Sequence, residues 1–238
     1  MNLKGKKAVV TGSTKGIGLA IAHSLVTEGA QVVISSRHQD DIQHTLERLN
    51  QLGKGKVSGK ACDVRDGNQV RDLIQHCVDQ FGAIDILVNN AGIGIFRTVE
   101  EMSLQEWRDL LATNLDGVFF GCHFAIPELK KNGGGFIINI GSLAGTNAFP
   151  QGAAYNASKF GLVGFSEALM QEIRYDDIRV AHLMPGSVET EFSHPTTGES
   201  SWKLSPSDVA EVVIETLKHH PRCLTSRIEM RPSKPLKK

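Results

Sequence analysis

The sequence lacks an excess of charge of either sign. Its 26 lysines and arginines balance 26 aspartates and glutamates, so the formal net charge is zero. Proteins that bind nucleic acid or an anionic membrane surface through their overall field carry a clear positive excess. The balance predicts neither a nucleic-acid partner nor a membrane surface, and it favours a small ligand that is captured locally.

Cysteine is scarce and scattered. The chain has four cysteines, with no CxxC pair and no Cys/His spacing typical of a metal site; they are Cys62, Cys77, Cys122 and Cys223. Such cysteines are most often free, buried thiols that behave as small apolar residues. We therefore expect no metal, no disulfide framework and a reducing compartment.

Long apolar runs are absent as well. No stretch reaches the roughly 18 residues that a membrane-spanning helix needs, and the start, MNLKGKKAVV, is too polar for a secretory signal. These features predict a cytoplasmic protein. Repeats and low-complexity segments are also missing, and 238 residues suffice for one large domain but not for two. We expect a single domain over residues 1–238.

Short apolar runs alternate with amphipathic stretches along most of the chain. Buried parallel strands have this appearance, so the pattern predicts a doubly wound α/β sheet with helices on both faces. The runs are KKAVVTG, AQVVISS, GKVSGKACD, IDILVNN, GGFIINIGS and IRVAHLMPG, and RIEMRPSKP is interpreted as a last strand followed by a frayed tail at 231–238.

Helix boundaries are marked by caps and breakers. The first helix should run from about Gly16 to Glu28 and end at Gly29, and Asp40, Asp66 and Ser103 are candidate N-caps. Two segments predict long helices that could build a subunit interface around Trp107 and Phe165. They are residues 103–131, with Pro127 near the end, and residues 153–174.

A glycine-rich segment, TGSTKGIG, follows the first strand and opens the first helix. At this place an open α/β sheet binds a pyrophosphate on backbone N–H groups and the positive end of the helix. Gly12, Gly16 and Gly18 would permit the tight turn and the close approach. The spacing differs from GxGxxG, so an ordinary glycine turn is the alternative.

The end of the second strand bears on cofactor choice. Sites selective for NAD place a carboxylate there for the ribose 2′-hydroxyl, whereas this chain has Ser36 and Arg37. An arginine can bind a 2′-phosphate with two hydrogen bonds, and Lys15 in the glycine loop adds a second positive charge. The pattern predicts NADP(H); solvated surface cations are the alternative.

Tyr155 and Lys159 stand four residues apart in AAYNASKFG. On a helix they share one face and can act on the same ligand. The spacing alone is also typical of a chance pair on a solvated helix face, so the remaining motifs decide.

Five motifs, one of which is the Tyr155/Lys159 pair, occur in a recognisable order. They are NNAG at 89–92, TNLDG with Asn114, IGS ending at Ser142, the Tyr155/Lys159 pair, and PGSVET at 185–190. Together with the glycine loop, the chain resembles the short-chain dehydrogenase/reductase superfamily, and most of all its 3-oxoacyl carrier-protein reductase-like members. The resemblance implies a seven-stranded Rossmann-type sheet, a nicotinamide cofactor and a homotetramer or homodimer.

The resemblance also implies catalytic roles. Tyr155 would protonate the substrate carbonyl, and Lys159 would ease ionisation of the phenol and bind the nicotinamide ribose. Ser142 would hold the carbonyl oxygen. Asn114 would hold a water that links Lys159 to solvent; an amide capping a local kink is the alternative.

Cofactor contacts follow from the same resemblance. Asp63 and Val64 match positions that touch adenine, although Asp63 could be only a turn residue, and Asn89 and Gly92 match positions near the adenine-side ribose and pyrophosphate. Val188 and Thr190 match carboxamide contacts. The predicted cofactor-binding set is Gly12, Ser13, Thr14, Lys15, Gly16, Ile17, Gly18, Ser36, Arg37, Asp63, Val64, Asn90, Ala91, Gly92, Tyr155, Lys159, Pro185, Gly186, Val188 and Thr190.

Substrate choice is the least determined property. The predicted substrate loop, about 186–206, is short and polar, with Phe192 and Trp202 as its aromatic residues. A carrier-protein substrate would need a basic docking patch near the site, for which Lys130, Lys131 and Arg174 are candidates, although Asp176 and Asp177 adjoin Arg174.

The sequence thus predicts an NADPH-dependent carbonyl reductase that interconverts a ketone and a secondary alcohol, with a 3-oxoacyl thioester as one option. One alternative is a non-catalytic NADP(H)-binding regulator of the same fold. The other is an epimerase or dehydratase of the extended branch, whose chains are longer and have a different glycine loop.

Overall fold

The structure of the protein is a computed structural model that describes residues 2–190 and 201–235. Residues 191–200, which include Phe192 and half of the predicted substrate loop, lie outside the described residues. The same holds for 236–238, the end of the predicted tail. Nothing in the structure tests the proposed bounds of that loop and tail, so they stay predictions.

Seven parallel strands form one sheet in the order β3-β2-β1-β4-β5-β6-β7. The order reverses between β1 and β4, as in a doubly wound fold with crossovers of one hand. The predicted fold class is therefore confirmed. The strands are β1 Lys7–Val10, β2 Gln31–Ser36, β3 Lys56–Ala61, β4 Ile86–Asn89, β5 Gly135–Ile140, β6 Ile178–Pro185 and β7 Arg227–Met230.

Seven α-helices accompany the strands in the described ranges. They are α1 Gly16–Thr27, α2 Gln39–Asn50, α3 Gly67–Phe81, α4 Leu104–Leu111, α5 Gly117–Lys131, α6 Ala153–Ile173 and α7 Pro206–Lys218. Asp66 and Ser103 cap α3 and α4 through their side chains, as predicted. The prediction for Asp40 was wrong: α2 begins at Gln39, so Asp40 lies in its first turn, where a carboxylate favours the positive helix end.

The segment predicted as one long helix over 103–131 is helical from Leu104 to Lys131, but it is not α-helical throughout. A π-helical segment, Ala112–Asp116, separates α4 from α5. π turns insert an extra residue into an α-helix and are frequent at functional sites. Here the widened turn carries Asn114, whose amide bonds to the backbone of Ile93 in another part of the chain. That tertiary contact cannot be detected from helical periodicity.

The sheet buries an apolar layer on each face. Val10, Val88 and Ile138 belong to the layer packed by α1 and α7, whereas Leu87 and Ile137 belong to the layer packed by α3, α5 and α6. Because side chains alternate along each strand, near-continuous apolar strands supply both layers at once.

Three of the four cysteines behave as expected. Cys62, Cys77 and Cys122 are buried free thiols, and burial raises the pKa of each to about 12, so they stay protonated. Cys223 is exposed, which corrects the expectation that all four are buried. Within 2–190 and 201–235, no group of three or more His, Cys, Asp or Glu side chains is arranged to hold a metal.

None of the described helices combines the length and apolar character that crossing a bilayer requires. The cytoplasmic location stays a prediction.

All strands are parallel, so their carboxyl ends meet at one edge of the sheet. The glycine loop and the segments that follow β2 to β6 all lie at this edge, where open α/β sheets bind their ligands. Lys130 and Lys131 end α5 just before β5, and Arg174 follows α6 just before β6. The basic patch predicted near the site therefore lies at the opposite edge.

Candidate active site

The glycine loop is shaped for close approach of a ligand to the backbone. Gly12 and Gly16 adopt φ values of 61° and 55°, a region that favours glycine. A Cβ added to Gly18 would collide with the Gly12 carbonyl oxygen and the Asn90 amide. No side chain caps the N-terminus of α1, in contrast to α3 and α4. Its first N–H groups are thus oriented toward the loop, as an anion site requires.

Thr11 and Asn90 fasten the glycine loop to the segment after β4. The Thr11 hydroxyl accepts hydrogen bonds from the backbone N–H groups of Asn90 and Ala91, both at 3.0 Å. The Asn90 amide donates in return to the carbonyls of Thr11 and Gly12, at 2.9 and 3.0 Å. Asn90 therefore orients the loop, and Thr11 is a residue that the sequence analysis missed.

Ser13 anchors the glycine loop to β2. Its side chain is fully buried, donates to the Val10 carbonyl at 2.7 Å and accepts from the Ser35 N–H at 2.9 Å. The Ser13 N–H donates to the Ser35 carbonyl at 2.9 Å. Lys15 and Arg37 each follow this anchor by two residues, and both are exposed. The two predicted phosphate-binding cations thus emerge from a common, rigid point.

Asp63, at the end of β3, is held by a neighbouring cation. Arg65 forms a hydrogen-bonded ion pair with it at 2.6 Å and reaches Asp109 of α4 at 2.8 Å. The hydrogen bonds from Arg65 lower the pKa of Asp63. Val64 is buried and packs 3.0 Å from the position that a Cβ on Gly117 would occupy.

The NNAG segment divides into an inner and an outer part. Asn89 is buried, where its amide contacts Cys122 Sγ at 3.4 Å and Asn139 Oδ1 at 2.9 Å. The Asn89 side chain thus points into the α5 layer, whereas its place near the cofactor stays a prediction. Gly92 lies on the outside, and a Cβ there would be 3.9 Å from Lys159 Nζ.

Tyr155 and Ser142 meet at the centre of the carboxyl edge. Tyr155 is only 8% exposed, and its hydroxyl is hydrogen-bonded to the Ser142 side chain. Burial raises the pKa of Tyr155, and the bond from Ser142 partly offsets the increase. The phenol therefore keeps its proton at neutral pH. Ser142 Oγ also accepts from the Ala144 N–H at 3.1 Å, which fixes its rotamer.

Lys159 lies one turn beyond Tyr155 on the buried face of α6. Its Nζ is 5.7 Å from the centroid of the Tyr155 ring and 3.4 Å from the Ile140 carbonyl oxygen. Burial lowers the pKa of Lys159 to about 8, so the ammonium is still charged at neutral pH. A buried positive charge this close favours the phenolate over the phenol.

Asn114 is fully engaged by the protein through its side chain. Its Oδ1 accepts from the Ile93 N–H at 2.8 Å, and its Nδ2 donates to the Ile93 carbonyl at 2.9 Å and to Ser158 Oγ at 3.1 Å. The amide therefore fixes the segment after β4 beside Lys159. Both of its N–H donors bond to protein atoms, and the water that it was expected to hold stays a prediction.

The PGSVET segment closes the other side of the edge. The Gly186 N–H donates to the Met230 carbonyl at 2.8 Å, and Val188 forms a parallel bridge with Leu204. A Cβ on Gly16 would be 3.4 Å from the Thr190 methyl group. The structure thus brings this segment against the glycine loop, and Pro185 ends β6 at the same edge.

An apolar wall stands in front of Tyr155. The Phe96 ring meets the Tyr155 ring edge to face at 5.3 Å and the Phe149 ring at 5.9 Å. Asn156 fixes the loop that carries Phe149, since its amide donates to the carbonyls of Ala144 and Asn147. The sequence analysis missed these three residues; the only signal was the place of Asn156 beside Tyr155.

Comparisons with known proteins agree with this geometry. The family model described as short chain dehydrogenase matches residues 6–200. An NADP-dependent (R)-specific alcohol dehydrogenase of Lentilactobacillus kefiri is 41% identical over 79% of this chain and 75% of its own length. A 3-oxoacyl-[acyl-carrier-protein] reductase of Vibrio cholerae is 35% identical over 84% of this chain and 80% of its own length.

Solved structures give the same result. A metagenomic short-chain oxidoreductase in complex with NADP has a TM-score of 0.86 and 32% identity, covering 99% of this chain and all of that one. The family match spans most of the chain and includes every motif on which the resemblance was based. The protein is an oxidoreductase of the short-chain dehydrogenase/reductase superfamily.

Proposed function

We propose that the protein is an NADPH-dependent reductase of uncharged, apolar ketones. The observation that carries the proposal is the contact of Ser142 with the buried pair Tyr155 and Lys159. It lies at the same sheet edge as a glycine loop in which a side chain would be strained at Gly12 and Gly16 and would collide at Gly18. A proton donor, its charged neighbour and a phosphate cradle are the parts that reduction of a carbonyl by a nicotinamide requires.

The residues present fit NADP(H). Gly18 leaves the backbone of Gly12 accessible, and the uncapped N-terminus of α1 suits a pyrophosphate. Lys15 and Arg37 would hold the 2′-phosphate, and no carboxylate occupies the end of β2 to repel it. The described relatives with NADP in their names support the same cofactor for this chain.

Each catalytic side chain has a distinct task. The reduced nicotinamide supplies a hydride to the carbonyl carbon when it is bound. The Tyr155 hydroxyl donates its proton to the carbonyl oxygen. The Ser142 hydroxyl, whose single hydrogen is directed to Tyr155 when no substrate is bound, turns to the carbonyl oxygen and holds it with that hydrogen bond. The Lys159 ammonium stabilises the resulting phenolate, and Asn114 keeps the Ile93 backbone in place beside it. Oxidation of the alcohol uses the same groups in reverse.

The surroundings of Tyr155 favour an apolar substrate. The Phe96 ring packs against the rings of Tyr155 and Phe149, and Phe149 is 41% exposed, as expected for a side chain that covers a ligand. Lys130 lies at the far edge, where it pairs with Asp176 at 2.7 Å, and Lys131 pairs with Glu128 at 2.6 Å. The lysines predicted to dock a carrier protein thus lie away from the site and are paired with carboxylates, so a thioester on such a carrier is the weaker candidate.

The proposal is tested by following NADPH oxidation with a matched panel. An aryl methyl ketone and an unbranched alkyl ketone represent the predicted class. A 3-oxoacyl thioester and a charged 2-oxo acid represent the others, and Tyr155→Phe is the control for background reduction. The account predicts the highest kcat/KM for an apolar ketone. Turnover of the thioester alone would contradict the substrate class. The absence of any turnover would favour the non-catalytic regulator.

We also propose a homotetramer or homodimer. Trp107, Phe119 and Phe160 are 41%, 48% and 47% exposed, and they lie on α4, α5 and α6. Burial of such aromatic side chains against a second copy is a common basis of symmetric assembly. Phe165, in contrast, packs partly into the core. Light scattering should give a multiple of 25.9 kDa, and Phe160→Asp should reduce that mass. A monomeric wild type would contradict the proposal.

A further inference from the structure

His182 on β6 is an unusual buried group. Its imidazole is only 3% exposed, and among the described residues neither ring nitrogen has a hydrogen-bond partner. Buried polar side chains are hydrogen-bonded in the great majority of cases, since an unpaired one costs free energy. An unpaired, buried histidine beside the candidate active site therefore needs a physical explanation.

The ring occupies the space that a side chain at position 141 would take. A Cβ added to Gly141 would overlap His182 Nε2, and it would lie 2.9 Å from Cε1 and 3.0 Å from Cδ2. Gly141 is not among the glycines with positive φ. Its backbone conformation therefore accepts any L-residue, and the imidazole is what requires glycine here.

Gly141 immediately precedes Ser142, so the ring packs against the backbone that carries the candidate catalytic hydroxyl. The Gly141 N–H donates to the Leu183 carbonyl at 2.6 Å, which ties this backbone to the strand of His182. Ser142 in turn bonds to Tyr155. A shift of the Gly141 backbone would therefore be transmitted to the Ser142–Tyr155 hydrogen bond.

The other side of the ring borders a cavity of about 30 Å³, lined also by Ser166, Met170, Ser226 and the Glu167–Arg227 pair. Burial, followed by the positive charges of Lys159 and Arg227, lowers the pKa of His182 to about 4. The ring is therefore neutral at physiological pH and adds no charge beside Lys159.

We propose that His182 is a positioning residue for Ser142: its imidazole fills the side-chain space of Gly141 and holds the Gly141–Ser142 backbone where the serine meets Tyr155. The residue touches neither substrate nor cofactor in this account and acts only through Ser142. The inference rests on the proposed reductase function for its kinetic part, whereas its packing part depends only on the fold.

The test uses the full-length protein with His182→Ala, Gly141→Ala and the double variant. Gly67→Ala is the matched control, because a Cβ at Gly67 meets the Phe120 ring at an ordinary 3.4 Å. We expect each single change to lower kcat about tenfold, a modest value for a displaced catalytic group, with NADPH affinity unchanged. In the double variant, the methyl group introduced by Gly141→Ala replaces part of the missing ring. The kcat of the double variant should therefore be higher than that of either single variant.

The pH profile of alcohol oxidation distinguishes positioning from general stability. The bond from Ser142 lowers the pKa of Tyr155, so a displaced Ser142 should move the rise in oxidation rate to higher pH. His182→Ala, Gly141→Ala and Ser142→Ala should shift the profile in this direction, and the double variant should shift it less. Because His182→Ala can fail to fold, Gly141→Ala is a second way to produce the displacement.

Three results would overturn the proposal. The first is a wild-type kcat and pH profile in both single variants. The second is a loss of kcat in the double variant that equals the two single losses combined. The third is lower stability of the variants without a change in kcat. If the wild type reduces no ketone, the proposed function and the kinetic part fail together. Thermal unfolding still decides the packing part: Gly141→Ala should lower Tm with His182 present, and much less with His182→Ala.

Discussion

The carboxyl edge of the sheet has two halves that are built differently. After β1 and β2, the site consists mainly of backbone: glycines at which a Cβ would be strained or would collide, and an uncapped helix end, with two exposed cations beside them. After β4 to β6, it consists of buried or partly buried polar side chains that are hydrogen-bonded to other protein groups. Asn114 and Lys159 belong to this second half.

The two halves of the edge differ in the chemistry that each can perform. A backbone cradle binds an invariant group such as a pyrophosphate and is insensitive to most side-chain changes. A network of buried side chains sets pKa values and proton positions, so single atoms matter there. The account therefore assigns cofactor affinity mainly to the first half and the chemical step to the second.

Lys159 is expected to serve both the chemical step and cofactor binding, so its replacement should have the largest effect. Lys159→Ala removes the buried charge beside the phenol and, in our proposal, a contact to the ribose. We expect kcat to fall by more than the 10²- to 10⁴-fold typical of general acid catalysis, with weaker NADPH binding by fluorescence titration.

Lys131→Ala, at the opposite edge, is the control for loss of a lysine and should change neither quantity. Tyr155→Phe combined with Lys159→Ala should be little slower than the worse single variant, because both residues serve one proton transfer. Additive losses would show that the two act separately.

Gly18→Ala should damage the backbone half. The added methyl would collide with the Gly12 carbonyl and the Asn90 amide, and overpacking of this kind costs about 1 to 3 kcal/mol. We expect NADPH affinity to fall, with kcat at saturating cofactor less affected, and Gly67→Ala to be tolerated. Unchanged NADPH binding in Gly18→Ala would contradict the claim that the backbone of the glycine loop holds the cofactor.

Arg37→Ala should have a smaller and more selective effect. A lost hydrogen bond to a charged group costs roughly 1.5 to 3 kcal/mol, so NADPH should bind more weakly while NADH is barely affected. Arg48→Ala, which removes an exposed arginine from the far end of α2, is the matched control. Equal losses for the two cofactors, or a wild type that prefers NADH, would contradict the 2′-phosphate assignment.

The same comparison explains what could be predicted from the sequence. The strand runs and the glycine loop depend on local composition and on backbone conformation, which leave marks in neighbouring residues, so the fold class was predicted correctly. The Tyr155/Lys159 spacing is likewise local. Its placement on a buried helix face agrees with the expectation that the pair is more than a chance pair on a solvated face.

The remaining features depend on contacts between distant segments. Whether Asn89 or Asn90 faces the cofactor depends on the face that each presents at the end of β4. The match between Gly141 and His182 exists only because β5 and β6 pair in register. The π-helical turn at Asn114 depends on its bond to Ile93. The place of Lys130 away from the site follows from topology. A helix that precedes a parallel strand ends at the edge of the sheet where that strand begins, which is opposite the carboxyl edge.

The central claim is that Tyr155 is the proton donor and that the cofactor is held mainly by other residues. Tyr155→Phe removes the hydroxyl and keeps the ring against Phe96, so the measurement is kcat with an accepted ketone at saturating NADPH, beside the NADPH dissociation constant. The account predicts a 10²- to 10⁴-fold loss in kcat with NADPH affinity unchanged. A variant that keeps more than about a tenth of wild-type kcat, well above what loss of a general acid allows, would contradict it.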